Sequence, residues 1–128
     1  MLADDRASAS LGIELVELAL GRAVATMTVT GSMVNGHAIA HGGLVFTLAD
    51  TAFACACNSH GPVTVAAGAD ITFVAPAREG DVLTATAQER VSYGRSGVYD
   101  VTVTRADGEV IAEFRGRSRT IGREGAKK

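Results

Sequence analysis

Strict alternation of apolar and polar positions marks several stretches of the chain, and one long apolar run in the first half interrupts it. Residues 22–30 place Ala23, Ala25, Met27 and Val29 on one face and Val24, Thr26, Thr28 and Thr30 on the other. Period two with β-branched residues predicts a strand. The pattern returns at 81–91, with Leu83, Ala85 and Ala87 against Val82, Thr84 and Thr86. After a turn at Gly94–Gly97, Tyr99, Val101 and Val103 alternate with Asp100, Thr102 and Thr104. Asp107-Gly108 is a hairpin signal. It leads into a last strand with Val110, Ala112 and Phe114 on one face and Glu113, Arg115 and Arg117 on the other. Residues 63–76 read as a long, mostly apolar strand with Gly68 marking a bulge or close approach. Residues 11–20 read as a first strand closed by a turn at Gly21, and the Ala-rich residues 3–10, with Asp4 and Asp5 near their start, predict a short helix.

Between a Gly-, Ser- and Asn-rich loop (31–40) and Gly61-Pro62 lies the long apolar run, which predicts a helix from Gly42 to Ser59. Leu44, Leu48, Thr51, Ala52 and Cys55 fall on one face, and Phe46, Phe53 and Cys57 fall beside Asp50. Apolar residues all round mean a helix buried on most sides. Ala49, Ala52, Ala54 and Ala56 leave room for a sheet to approach closely. Short helix, two strands, long helix and four strands make an α+β layout with the sheet curling around the helix. No repeat or linker divides it. A single domain is expected over 1–122, followed by a disordered tail at 123–128.

Composition narrows the picture. A chain of 128 residues holds one core, and 47% hydrophobic residues argue against disorder. Twelve basic against 14 acidic residues give a net charge of −2, so neither nucleic acid nor a membrane is an expected partner. Arg115, Arg117, Arg119, Arg123, Lys127 and Lys128 read as a solvated strand face and tail. Cys55 and Cys57 point about 200° apart on a helix, so they neither bridge nor share a metal. Two small buried thiols suit a reducing, cytoplasmic setting. The start MLADDRASAS lacks a secretory core, and Asp50 and the flanking glycines keep the apolar run from reading as a membrane span.

Asp50 is the only formally charged residue between Gly42 and Ser59. A carboxylate in such a helix is costly unless something stabilises or uses it. It reads as a general base or nucleophile, or as a structural carboxylate bonded to a neighbouring strand or across a symmetry interface. His41-Gly42-Gly43 opens the helix, where bare N–H groups and the dipole favour an oxyanion developing on an acyl carbon. Tight helix–sheet packing would also require glycines there. His37 and His41 have metal-ligand spacing, but they precede the helix, lack an HExxH pattern and have no third ligand, so no metal is expected. His60 complements the helix dipole, and no GxSxG elbow exists. Asp50 follows Gly42 by eight residues, about 12 Å along a helix. Both a base and a carbonyl polariser must lie within about 3 Å of the reacting atoms. If both serve one carbonyl, two helices from two chains must run antiparallel, which predicts a homodimer with two composite sites.

The stretch MVNGHAIAHGGLVFTLADTAFACACNSHG, followed by DITFVAPAREGDVLTATA and GVYDVTV, closely resembles the hotdog-fold acyl-CoA thioesterases of the phenylacetic acid degradation type over residues 10–122. That resemblance implies an antiparallel sheet of five to six strands wrapped around one long central helix, in a homodimer with a continuous sheet that pairs again into a homotetramer. It implies that Asp50 activates or orients the attacking water and that the backbone N–H of Gly42 polarises the thioester carbonyl. Asn35 and His41 are the expected positioning residues, and Gly43 and Phe46 the expected substrate-binding positions. Phe53 and Phe73, with Phe46, are candidates to line an aromatic pocket, although core packing also accounts for them. The region around Ala66 and Ala67 lacks the serine that some relatives use, so a serine-assisted mechanism is not expected. The implied reaction is hydrolysis of acyl-CoA, phenylacetyl-CoA or hydroxyphenylacetyl-CoA in particular, with no cofactor beyond the substrate's own coenzyme A. Arg95, Arg117 and Arg119 are candidate contacts for the nucleotide, or ordinary surface charges. A hotdog enoyl-CoA hydratase or dehydratase and a non-catalytic acyl-CoA-binding domain are the competing readings. The HGG…AD spacing favours the thioesterase.

Overall fold

The computed structural model describes residues 4–124. Its elements are α1 (Arg6–Ser10), β1 (Glu14–Ala19), β2 (Arg22–Thr28), α2 (Gly42–Cys57), β3 (Pro62–Phe73), β4 (Val82–Tyr93), β5 (Ser96–Thr104) and β6 (Val110–Glu124). The six strands form one antiparallel sheet in the order β1-β2-β4-β5-β6-β3. The chain therefore leaves β2, runs through α2 and crosses to the far edge, where β3 pairs only with β6. This is the expected sheet wrapped around one long helix. No helix among the described residues is long and apolar enough to cross a membrane.

Element boundaries depart from the sequence pattern where side chains intervene. β1 begins three residues later than expected because Leu11 closes α1 and Gly12 turns the chain at a φ of 73°. α2 ends at Cys57, and residues Asn58–His60 make one 3-10 turn. The Asn58 side chain is the reason. Its amide donates to the carbonyls of Ala54 and Thr64, and its oxygen accepts from the Thr64 N–H at 3.0 Å, so it ties the helix end to β3. β3 stops at Phe73 rather than 76, because the N–H groups of Val74 and Ala75 both turn to the Ile111 carbonyl. The bulge foreseen at Gly68 is present, as a register shift between Ala66 and Gly68. β6 runs through Glu124, so its backbone includes the first two residues of the expected tail. Residues 125–128 of that tail lie outside the described residues.

Cross-strand register explains how the two faces divide. On the inner face Ala23, Ala87, Val101, Phe114 and Ile71 stand side by side across five strands, and Ala25, Ala85, Val103, Ala112 and Phe73 form the next row. On the outer face the matching rows are Arg22, Gln88, Asp100, Arg115 and Asp70, then Val24, Thr86, Thr102, Glu113 and Thr72. The inner rows are alanine-rich at β2 and β4, and Ala49, Ala52 and Ala56 of α2 are likewise fully buried. Small residues on both partners let the helix settle close to the sheet. Toward β6 the space widens and aromatic rings fill it, with Phe53 against Tyr99 and Phe114 at ring separations of 5.6 and 5.7 Å.

Phe53 also lies across the backbone of Gly116. A Cβ at residue 116 would stand 2.7 Å from its ring. Gly116→Ala is therefore expected to destabilise the fold by about 1–3 kcal/mol through overpacking, read from the shift of the urea midpoint. An unchanged midpoint would show that the helix does not sit as tightly on β6 as described.

Candidate active site

The helix start is built by backbone. His41 has an extended conformation, its carbonyl accepts from the N–H groups of Leu44 and Val45, and its own N–H donates to the Met33 carbonyl at 2.8 Å. Its side chain makes no capping bond and is exposed. The N–H groups of Gly42 and Gly43 have no hydrogen-bond partner among the described residues. They are free donors at the positive end of a 16-residue helix.

The two glycines differ in their reason. A Cβ on Gly42 would meet the Phe73 ring at 2.9 Å, whereas one on Gly43 would meet nothing within 4 Å. A side chain at 42 would have to push aside the exposed Phe73 ring, whereas one at 43 would displace nothing. Gly42 lines a cavity of about 360 Å³ together with Ile39, Val45, Phe73, Val74 and Ile111.

Asn35 shapes the loop that delivers this start. Its side-chain oxygen accepts from the N–H groups of His37 (2.8 Å) and Ile39 (3.3 Å), and its backbone N–H donates to the Ile39 carbonyl. The loop is tight enough to hold Ala38 at a φ of 61°. An Asx-type closure of this kind is a role for asparagine in its own right. The side-chain NH₂ of Asn35 has no partner among the described residues and remains available as a donor.

Asp50 sits about two turns further along α2. It is half-buried and makes neither hydrogen bond nor ion pair among the described residues, so within one chain it is not bonded to a neighbouring strand. Burial pushes its carboxyl above the ordinary carboxylate range, and the negative charge of Asp5 adds to the rise. It lines a second cavity, about 350 Å³, with Phe53, Ala54, Val63, Val65 and Ala66. The chain thus keeps Gly42 and Asp50 in separate cavities, one at each end of β3.

The aromatic candidates part company. Phe73 borders the Gly42 cavity and Phe53 the Asp50 cavity, while Phe46 packs edge-on against Phe114 at 5.3 Å and lines neither. Arg117 pairs with Asp70 at 3.4 Å on the outer face, Arg119 is exposed, and Arg95 borders a small polar pocket beside the β4–β5 turn. Two contributors were not visible in the sequence. The contact of Phe73 with Gly42 depends on register with β6, and the two hydrogen bonds between the Asn58 side chain and the Thr64 backbone shape the wall of Asp50's cavity. An Asn just after the helix was the one signal for the second.

The raised Asp50 carboxyl has a consequence for stability. The folded state holds this proton more tightly than the unfolded chain, so at neutral pH the ionised group destabilises the fold. The cost fades as pH falls through the raised value and is gone below the ordinary value of 3.8, where both states are protonated. Asp50→Asn is expected to raise the melting temperature at neutral pH, with a gain that shrinks on acidification. A variant less stable than the parent at neutral pH would contradict the reading of Asp50 as an uncompensated charge.

Comparison with known proteins agrees with this geometry. The model of the thioesterase superfamily matches residues 37–112. The acyl-coenzyme A thioesterase PaaI of Escherichia coli K12 is 48% identical over 95% of this chain and 87% of its own length. A putative esterase of Archaeoglobus fulgidus is 34% identical over 91% of this chain and 75% of its own. Among solved structures, the E. coli PaaI protein from the phenylacetic acid degradation operon superposes with a TM-score of 0.95 at 47% identity, covering 97% of this chain and 90% of that one. A Streptococcus mutans protein bound to acetyl CoA superposes with a TM-score of 0.84 at 25% identity, over 88% of this chain and 90% of that one. With its helix-wrapped sheet, its bare helix start at Gly42 and its unpaired Asp50, this chain belongs to the hotdog-fold acyl-CoA thioesterases of the phenylacetic acid degradation type, within the thioesterase superfamily.

Proposed function

We propose that the protein hydrolyses aryl-acetyl thioesters of coenzyme A, phenylacetyl-CoA or its ring-hydroxylated forms, at a site made by two copies of the chain. The observation that carries this reading is the unpaired, half-buried carboxylate of Asp50 on the same helix as two bare N–H groups, too far from them to act on one carbonyl. β3 is the edge strand that borders both cavities, and Val65 and Phe73 on it are exposed. A long unpaired edge invites another strand. Antiparallel pairing of β3 with its copy brings the Gly42 cavity of one subunit toward the Asp50 cavity of the other, and two such dimers complete a tetramer.

The chemistry needs only these groups and water. The Gly42 N–H, at the positive end of the helix dipole, holds the thioester oxygen as negative charge develops on it. Asp50 takes a proton from the attacking water, and its raised proton affinity suits a general base working near neutral pH. Collapse of the tetrahedral adduct breaks the carbon–sulfur bond, and the leaving thiolate takes up the proton as coenzyme A departs. Asn35, through its free NH₂, and His41 position the water and the thioester. Gly43, exposed beside Gly42, offers the substrate a second bare N–H. The aryl group finds apolar and aromatic surface at Phe73 and at Phe53, with Phe46 supporting the wall from the core side. No cofactor is required beyond the coenzyme A of the substrate. The acetyl CoA bound by the S. mutans structure and the operon of the E. coli protein support the substrate class. Buried, unbridged Cys55 and Cys57 suit a reducing cytoplasm.

A thiol-release assay over aromatic and straight-chain acyl-CoAs tests the reading. The parent should prefer the aryl-acetyl substrates, and Asp50→Ala should lower kcat by about 10²–10⁴ with little change in KM. Near-normal turnover by that variant would remove Asp50 as the base. Binding of acyl-CoA without thiol release by the parent would favour a non-catalytic binding domain.

A further inference from the structure

α1 is five residues long, yet it is tied to α2 beside Asp50 by a buried chain of hydrogen bonds. Ser8 is 1% exposed and Thr51 5%, and their hydroxyl oxygens lie 2.9 Å apart. Ser8 Oγ also donates to Asp5 Oδ2 at 2.7 Å, while its N–H donates to Asp5 Oδ1 at 2.9 Å. An ionised carboxylate has no proton to give, so the Ser8 hydroxyl donates to Asp5 and must accept from Thr51. Thr51 shares that same proton with the Thr47 carbonyl, 2.8 Å away. The chain therefore runs one way, from α2 through Ser8 to a carboxylate. Capping of α1 accounts for one oxygen of Asp5; the second oxygen and the link to Thr51 exceed what a cap needs.

Thr51 is the next residue after Asp50 on α2, so the clamp holds a negative charge near a carboxylate that has no counter-charge among the described residues of its own chain. The two hydrogen bonds from Ser8 hold the Asp5 carboxyl below its ordinary range, so it stays ionised while Asp50 titrates. Among the described residues of its own chain, the other groups around Asp50 do not offset it. β3 presents Val63, Thr64, Val65 and Ala66 to its cavity, none of them charged. Cys55 and Cys57 on α2 and Tyr99 on β5 are all pushed up by burial and are neutral at neutral pH.

We propose that Asp5 is a positioning residue for the reaction: clamped through Ser8 to Thr51, its carboxylate stands as a second negative charge beside Asp50 and makes Asp50 the stronger base. This rests on the reading of Asp50 as the base.

Asp5→Asn tests it, because asparagine caps a helix as well as aspartate does and removes only the charge. Carboxyl-carbon NMR titration of the ligand-free protein should give a lower midpoint for Asp50 in the variant. The acid limb of kcat/KM should move the same way, so that rates measured on that limb rise by about two- to fivefold, the effect of one charge at the spacing of neighbouring elements. Ser8→Ala, which loosens the clamp, should move both in the same direction by less. An Asp50 midpoint and acid limb unchanged in Asp5→Asn, with the melting temperature kept, would overturn the proposal even if Asp50→Ala is inactive. If the midpoint moves but Asp50→Ala remains active, the base reading fails and the proposal falls with it; the NMR titration separates the two failures.

Discussion

Ala49, Ala52 and Ala56 of α2 meet a sheet whose central strands present Ala23, Ala25, Ala85 and Ala87, and all seven are completely buried. That contact fixes how far the helix stands from the sheet, and the rest of the site inherits the distance. A helix seated so closely cannot rotate or slide without forcing methyl groups into backbone. Its start is held against Phe73, its middle against Gly116 by Phe53, and its end against β3 by Asn58. Gly42 and Asp50 therefore keep one separation and one orientation, both set by packing remote from the chemistry.

Charge is distributed unevenly around this frame. The outer face of the sheet carries its ions in cross-strand pairs, such as Arg115 with both oxygens of Asp100 at 2.7 and 2.9 Å, where water screens them and they add little to stability. Glu89, on the helix side of the sheet, is bonded to Tyr99 and His60, whereas Asp50 has no such partner among the described residues and feels the charge of Asp5 instead. Folds rarely keep an uncompensated carboxylate at half-buried depth without a use for it. The bonded network of α1 shows the same bias, since its hydrogen bonds stabilise the charge of Asp5 and leave that of Asp50 exposed to it.

Much of this was legible in the chain. Period-two alternation placed β2, β4, β5 and β6, and the all-round apolar run with alanines placed α2 and its close contact with a sheet. Asp50 stood out because it is the only charge in that run. What alternation could not reveal is strand order. The neighbours of Phe73 and Gly116 are set by the crossover that carries β3 to the far edge. Phe46, Phe53 and Phe73 look alike as apolar residues, yet Phe53 is fully buried beside the Asp50 cavity, Phe46 packs against the core only in part, and Phe73 is exposed at the Gly42 cavity. The early end of α2 came from one side chain, Asn58, outbidding the helical pattern. Ser8 was unremarkable in sequence, because its meaning lies in a contact 43 residues away.

If one chain supplies half of each site, as proposed, the helix start at Gly42 works with the partner's carboxylate and not with its own. Mixing two variants measures this directly. Asp50→Ala damages only the base, and an Asn35→Ala variant damages only the loop that serves the helix start. Each alone is inactive or nearly so, and after subunit exchange, confirmed by mass spectrometry of differently tagged chains, a heterodimer carries one site with both defects and one site with neither. A composite site predicts recovered thiol release at about a quarter of the parent rate, half the dimers being mixed and half of their sites intact. No recovery in a mixture with confirmed exchange would contradict it.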